Sequence, residues 1–87
     1  MDPLRRSFLL FRDNGDTDAV GSVFATLSPR LLELALHLCG RPNDAEDLLQ
    51  QTFVQAMRLA AHFDASRPLE PWLCGLLTNL ASSQRRC

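Results

Sequence analysis

The feature that most constrains the fold is a series of apolar residues between Ala45 and Phe63. They recur at i, i+3 and i+4 spacing, which places them on one side of a helix about five turns long. A stripe of this width has to be covered by other elements, so the chain must supply several more helices. The stripe comprises Ala45, Leu48, Leu49, Thr52, Phe53, Ala56, Leu59, Ala60 and Phe63.

Proline, glycine and capping residues divide the rest of the chain into further helices. Asp2-Pro3 and Ser28-Pro29 each pair a cap with a proline at the first helical position. Glycine ends helices well, and Gly40 is followed closely by a proline. We predict helices over about 3–12, 17–27, 29–39, 44–63 and 69 onward, with Asp16 or Thr17 capping the second and Asn43 or Asp44 the fourth.

These elements predict an all-α fold, a compact bundle of four to five helices. The third helix is apolar on most of its circumference and should be central. A hydrophobic content of 46% suits a folded globule. The last helix, at i, i+3, i+4 and i+7 spacing, should bury Leu69, Leu73, Leu76, Leu77, Leu80 and Ala81.

The charge is unevenly distributed, although the net charge is only −1. Residues 1–64 carry six arginines against nine carboxylates, whereas residues 65–87 carry three arginines against Glu70. An acidic body with a basic end fits two partners of opposite charge. With no signal peptide and no apolar run of membrane length, we expect a cytoplasmic protein with reduced cysteines and no membrane insertion.

No catalytic, cofactor or metal site is predicted. There is no glycine-rich phosphate loop, and pairing His62 with Glu46 or Asp47 is less plausible than an acidic helix N-terminus. His37 and Cys39 supply half of a zinc site without the other ligands. We therefore expect a protein that is not an enzyme.

The polar face of the long fourth helix is the first candidate site. Its residues are either a solvated face or a docking surface for a basic helical partner, whose arginines would meet the carboxylates. They are Asp44, Asp47, Gln50, Gln51, Val54 and Arg58.

The loop after this helix and the exposed face of the last helix form the second candidate site. Phe63 and Pro68 pin the loop, which could be a plain connection or could present side chains to a ligand. Trp72 could stack on a base, although a single tryptophan in a small bundle is more often core. The site comprises Asp64, Ala65, Ser66, Arg67, Trp72, Asn79, Arg85 and Arg86.

In this order and spacing, the segments resemble region 2 of the sigma-70 superfamily, in particular the extracytoplasmic-function (ECF, group IV) sigma factors. The matching segments are residues 29–36, 44–53, 63–68, 72–73 and 79–80, within about 16–86. The resemblance implies that the polar face of the fourth helix docks on the beta-prime clamp helices of RNA polymerase. It also implies that the loop and last helix contact the minus-ten promoter element and help to melt it. An anti-sigma factor is a further candidate partner.

The sequence departs from the family pattern in three respects. Gln51 stands where glutamate is usual, and Gly75 and Thr78 stand where arginine or lysine is common. Residues 1–87 are expected to form a single region 2-like domain, without the family's second, helix-turn-helix domain. The alternative function is a protein-interaction module that binds polymerase or an anti-sigma factor without productive DNA contact. A chance match by an unrelated bundle is the third hypothesis.

Overall fold

A computed structural model of the protein describes residues 2–84, which form α-helices joined by short connections. The helices are α1 (Pro3–Asn14), α2 (Thr17–Cys39), α3 (Pro42–Arg58) and α4 (Leu69–Gln84), and a 3₁₀ turn (Ala60–His62) follows α3. No strand occurs within the described part of the chain. The radius of gyration, 12.6 Å, is that of a compact domain of this size. The prediction of a compact all-α bundle is confirmed.

Most helix ends lie where the capping residues place them. The Asp2 carboxylate accepts a hydrogen bond from the Leu4 backbone N–H at 3.1 Å, and Asp16 accepts one from Ala19 at 3.1 Å. Gly15 and Gly40 end α1 and α2 with φ of 70° and 74°. Only glycine adopts this left-handed conformation without strain from a Cβ, so both positions select it.

The start of α3 differs from the prediction. The helix begins at Pro42, so neither Asn43 nor Asp44 caps it. Arg41 occupies the N-cap position and forms no side-chain capping bond. The fixed φ of proline suits the first helical position, where its missing N–H costs nothing. Pro42 therefore starts the helix without a polar cap.

The predicted break at Ser28-Pro29 does not exist, because α2 runs continuously through Pro29. Ser28 does not cap a helix; its hydroxyl donates to the Phe24 carbonyl at 2.7 Å, one turn earlier. Leu27 and Leu31, on either side of the proline, are 2% and 0% exposed. Their burial on one continuous face outweighs the backbone hydrogen bond that proline removes.

The core lies along α2, which packs against α1, α3 and α4. Since its two predicted halves are one helix, α2 is long and apolar enough to cross a membrane by length and composition, with a mean hydropathy of 1.3. The prediction that no such run exists is therefore wrong. Core helices of globular domains pass the same test; α2 contacts three other helices, although only 28% of its apolar window is buried. Its buried residues are Val20, Val23, Leu27, Leu31 and Ala35.

An aromatic cluster joins α1 and α4 to the segment that follows α3. The apolar stripe of α3 continues beyond Arg58 through the 3₁₀ turn and ends at Phe63, which is 3% exposed. The Phe8 ring packs edge-on against Phe63 and Trp72, with centroids 5.4 and 5.5 Å apart. Phe63 and Trp72 lie 5.0 Å apart. The connection between α3 and α4 is thus anchored by the buried Phe63 ring on one side and the half-buried Trp72 ring on the other.

The expectation of reduced cysteines is wrong for Cys39, which is disulfide-bonded. Cysteine spacing along the chain does not reveal such a bond, because pairing depends on the Cα separation in the fold. Cys74 is a free thiol. Burial, with a smaller contribution from Glu70, raises its pKa and favours the protonated form.

Replacing Pro29 tests whether α2 is continuous. Pro29→Ala restores a helical N–H in the middle of α2, so we expect the free energy of unfolding to rise by about 1–3 kcal/mol. Urea denaturation followed by circular dichroism would measure it. Pro42→Ala is the matched control at a helix start, where a change below about 1 kcal/mol is expected. No stabilisation at Pro29 would favour two separate helices.

Candidate functional site

The polar face of α3 forms one wall of an open groove whose other wall is Leu80 of α4. The groove has a volume of about 320 Å³. It is lined by Asp47, Gln50, Gln51, Val54, Gln55, Arg58 and Leu80. The structure thus brings together five of the six residues that the sequence predicts for docking. The sixth, Asp44, is half-buried nearly one turn earlier on α3 and does not line the groove.

Two residues of this groove were not predicted as site residues. Gln55 follows Gln51 by four positions, so helical spacing could have placed it on the same face. Leu80 was assigned to the core, and it does pack there partly buried while one side lines the groove. That Leu80 also lines the groove follows only from the packing of α3 against α4.

The groove combines acceptors, amides and one exposed apolar residue. The Gln51 side-chain amide donates to the Asp47 carboxylate at 3.3 Å, which helps to orient both groups. Val54 is 44% exposed and adds an apolar contact to this otherwise polar wall. A carboxylate beside an apolar contact suits an arginine or lysine whose aliphatic stem packs while its charged end is bound.

The loop between Phe63 and Pro68 is an ordered turn. The Asp64 carboxylate accepts hydrogen bonds from the Ser66 backbone N–H at 2.9 Å and from its hydroxyl at 2.6 Å. The Arg67 backbone N–H donates to the Asp64 carbonyl at 3.0 Å, and its guanidinium lies 3.5 Å from the same carboxylate. An aspartate that bonds the backbone two residues on stabilises a turn. Residues 64–67 thus form a turn, within which Ala65 lies half-buried. That this loop presents Ser66 and Arg67 to a ligand stays a prediction.

These contacts also change the pKa of the Asp64 carboxyl group. The Ser66 hydroxyl, then the Ser66 backbone N–H, and to a lesser extent the Arg67 charge stabilise the ionised carboxylate and lower the pKa of Asp64. The loop therefore keeps its negative charge and its internal bonds at neutral pH.

Trp72 belongs to both the core and the surface. Its ring contacts Phe8 and Phe63, yet it remains half-buried and lines a second groove of about 270 Å³. The other residues of that groove are Arg67, Pro68 and Pro71. Arginine, tryptophan and proline surfaces are suited to holding a planar ring. The prediction missed Pro71, because nothing in the sequence showed that it would face the loop.

Among the described residues, the predicted Asn79 of α4 does not line this second groove. Asn79 is exposed on α4, and because it follows Trp72 by seven positions it lies on the same side, about 10 Å further along the axis. Its carbonyl accepts from the Ser83 hydroxyl at 2.8 Å. Arg85 and Arg86 lie outside the described residues. Among residues 2–84, no three metal-ligating side chains come together.

The model of the sigma-70 region 2 family matches residues 23–87, about three quarters of the chain. The chain belongs to this family. The match covers most of α2, all of α3 and α4, and the loop between them, but it does not include α1. Both grooves therefore lie within the region 2 match.

Two curated relatives are similar to this region 2 domain. The ECF RNA polymerase sigma factor SigW of Bacillus subtilis (strain 168) is 29% identical over 72 residues, which are 83% of this chain and 38% of the relative. RNA polymerase sigma factor CarQ of Myxococcus xanthus is 33% identical over 76 residues, 87% of this chain and 43% of the relative. The chain thus spans less than half the length of either relative. No solved structure gives a significant match.

From the hydrogen bonds of this turn we predict that replacing Ser66 changes the pKa of Asp64. In Ser66→Ala the hydroxyl donor is lost, so the pKa of Asp64 should rise toward the ordinary value for aspartate. NMR titration of the carboxyl carbon would measure it. Because folding lowers this pKa, the ionised Asp64 carboxylate stabilises the folded state above about pH 4. This contribution is lost as the pH falls through the folded-state pKa.

The matched control for this titration is Ser82→Ala, an exposed serine on α4, which should leave the Asp64 pKa unchanged. An Asp64 pKa equal in the wild type and in Ser66→Ala would show that the hydrogen bonds of the turn do not persist in solution.

Proposed function

We propose that this region 2 domain acts in transcription initiation as part of a sigma factor, bound to RNA polymerase core and to promoter DNA in the cytoplasm. The observation that carries the proposal is the family match across α3, the loop and α4, where the two grooves lie. Both relatives are named RNA polymerase sigma factors. In this role the domain binds and positions other molecules and catalyses no reaction of its own.

The groove beside α3 is the proposed polymerase-docking surface, which comprises Asp47, Gln50, Gln51, Val54, Arg58 and the adjacent Asp44. A basic partner helix, such as a clamp helix of the beta-prime subunit, would place a guanidinium on Asp47 and apolar atoms on Val54. The side-chain bond from Gln51 already orients the Asp47 carboxylate, which lowers the entropic cost of binding. Gln51 has no charge where the family usually has glutamate, so Asp47 has the larger share of the attraction.

The second groove is the proposed site for an unpaired base of the minus-ten element. Trp72, whose ring packs against two other aromatic rings, lines this groove, and Arg67 lies beside it with a charge for phosphate or base. Stacking of a base on an aromatic side chain contributes about 1–3 kcal/mol. Asn79, together with Arg85 and Arg86 from the sequence, would extend this contact along the DNA strand.

A second candidate function is an interaction module that binds polymerase or an anti-sigma factor without productive DNA contact. One observation favours it: residues 69–84, which form α4, contain no arginine or lysine. Protein–DNA binding depends strongly on phosphate neutralisation, so a helix without basic residues contributes little to affinity. The ordered loop and its arginine favour the first proposal.

Charge reversal tests the docking surface. Asp47→Arg should weaken binding of the chain to RNA polymerase core by about tenfold or more, because a like charge would meet the basic partner. Fluorescence anisotropy with labelled chain would measure the affinity. Glu46→Arg introduces the same charge change at an exposed α3 residue outside the groove and should bind nearly as well as wild type. Unchanged affinity in Asp47→Arg would contradict the assignment.

Truncation of the DNA-facing side chains tests the second surface. Arg67→Ala and Asn79→Ala should each reduce promoter opening in polymerase reconstituted with the chain, while core affinity stays within about twofold. Permanganate footprinting would measure opening. Gln50→Ala is the reverse control, expected to weaken docking alone. Parallel losses of docking and opening in all variants would show that the two surfaces are wrongly assigned.

A further inference from the structure

Helix α1 lies outside the region 2 match, yet one of its residues reaches the loop. Arg12 Nη1 donates a hydrogen bond to the Phe63 carbonyl oxygen at 3.3 Å, across 51 residues of sequence. Phe63 is the last residue before the Asp64–Arg67 turn. The Arg12 side chain is only 25% exposed, so this bond is partly shielded from water.

The neighbouring carboxylate holds the Arg12 guanidinium in place. Arg12 Nε and Nη2 donate to the two carboxylate oxygens of Asp13 at 2.8 and 3.4 Å. A bidentate pair of this kind fixes the plane of the guanidinium. With Nε and Nη2 engaged, Nη1 points toward the Phe63 carbonyl.

A second residue on the same face of α1 contacts one ring before the loop and one ring after it. Phe8, one turn before Arg12, is 0% exposed and packs against Phe63 and Trp72. Phe63 precedes the loop, and Trp72 forms part of the groove beside it. Helix α1 therefore contacts the residue that starts the loop with a ring and with a hydrogen-bond donor.

The hydrogen bonds inside the loop do not fix how the loop is oriented relative to α4. The contacts of Asp64 with Ser66 and Arg67 are all local, so they fix the shape of the turn but not its direction relative to α4. Arg12 holds the Phe63 peptide that leads into the turn. It thereby helps to set the position of Arg67 relative to Trp72. Small displacements at a binding site are costly, so a support of this kind affects affinity.

We propose that Arg12, oriented by Asp13, is a positioning residue for the promoter-binding loop, and that α1 thereby contributes to DNA recognition through its contacts with the segment that carries the loop. The inference rests on the proposed function. Its consequence is that changes at Arg12 alter DNA binding while leaving polymerase docking intact.

The test compares two affinities of the same complex. Chain bound to RNA polymerase core is titrated with a randomised pool of single-stranded DNA, and core binding is measured separately. Arg12→Ala should weaken DNA binding by about three- to tenfold while core affinity stays within about twofold. Arg6→Ala, an exposed arginine on the same helix, removes the same charge and should change neither affinity.

Conservative variants separate orientation from folding. Arg12→Lys can donate one bond to the Phe63 carbonyl but cannot form the bidentate pair, so it should recover part of the DNA affinity. Asp13→Asn keeps Arg12 but loosens it and should produce a smaller loss than Arg12→Ala. Both variants should fold even if Arg12→Ala does not.

The single tryptophan provides a readout that needs no polymerase. Trp72 is the only tryptophan of the chain, so its fluorescence reports on the groove. In Arg12→Ala, acrylamide should quench it more strongly while the far-ultraviolet circular dichroism is unchanged. Equal quenching in Arg12→Ala, Arg6→Ala and wild type would overturn the inference.

Arg67→Ala in the same DNA titration distinguishes two kinds of failure. If Arg67→Ala weakens DNA binding and Arg12→Ala equals wild type, the positioning role of Arg12 is wrong and the proposed function stands. If neither variant changes DNA binding, the DNA-binding proposal itself fails. If Arg12→Ala lowers docking, DNA binding and thermal stability together, its role is only structural and the inference is overturned.

Discussion

Packing of three aromatic rings holds the functional part of this domain together. Phe8 of α1 meets Phe63 at the end of the α3 segment and Trp72 on α4, with ring centroids 5.0 to 5.5 Å apart. Such pairs contribute about 0.5–1.5 kcal/mol each beyond the burial of their surface. The loop starts at one of these rings, and a groove is lined by another. A well-ordered surface therefore exists because its supports lie in the core.

Helix α4 belongs to both proposed surfaces. Leu80 completes the groove with α3, while Trp72 completes the groove with the loop. Asn79 is next to Leu80 in sequence but is exposed. Because a helix moves as a rigid body, a displacement of α4 on binding one partner would be transmitted to the surface that faces the other. The proposed docking on polymerase and the proposed contact with DNA share this element.

Local signals allowed much of the fold to be predicted. Asp2, Asp16 and the two left-handed glycines mark helix ends through interactions within a few residues, and the apolar stripe of α3 is a property of its own spacing. Ser28-Pro29 gave the wrong boundary because the burial of Leu27 and Leu31 against other helices outweighs the local preference. Most residues that line the groove beside α3 were predicted to share one face because they lie on one helix.

Long-range contacts account for what the sequence did not reveal. Leu80 reaches the groove beside α3 only because α4 packs on α3, and Pro71 faces the loop only because of how α4 begins. The hydrogen bond from Arg12 to the Phe63 carbonyl joins residues whose spacing contains no pattern. Predicting such contacts requires the relative placement of helices, which periodicity does not give.

The central position of α2 has a consequence for the order of events during protein synthesis. Helix α2 emerges from the ribosome before α3 and α4, the two helices that cover much of its apolar surface. Until residues as far as Leu77 are available, the part of that surface covered by α4 is exposed, and exposed apolar surface of this kind promotes aggregation. The core around α2 can therefore close only after α4 has emerged from the ribosome.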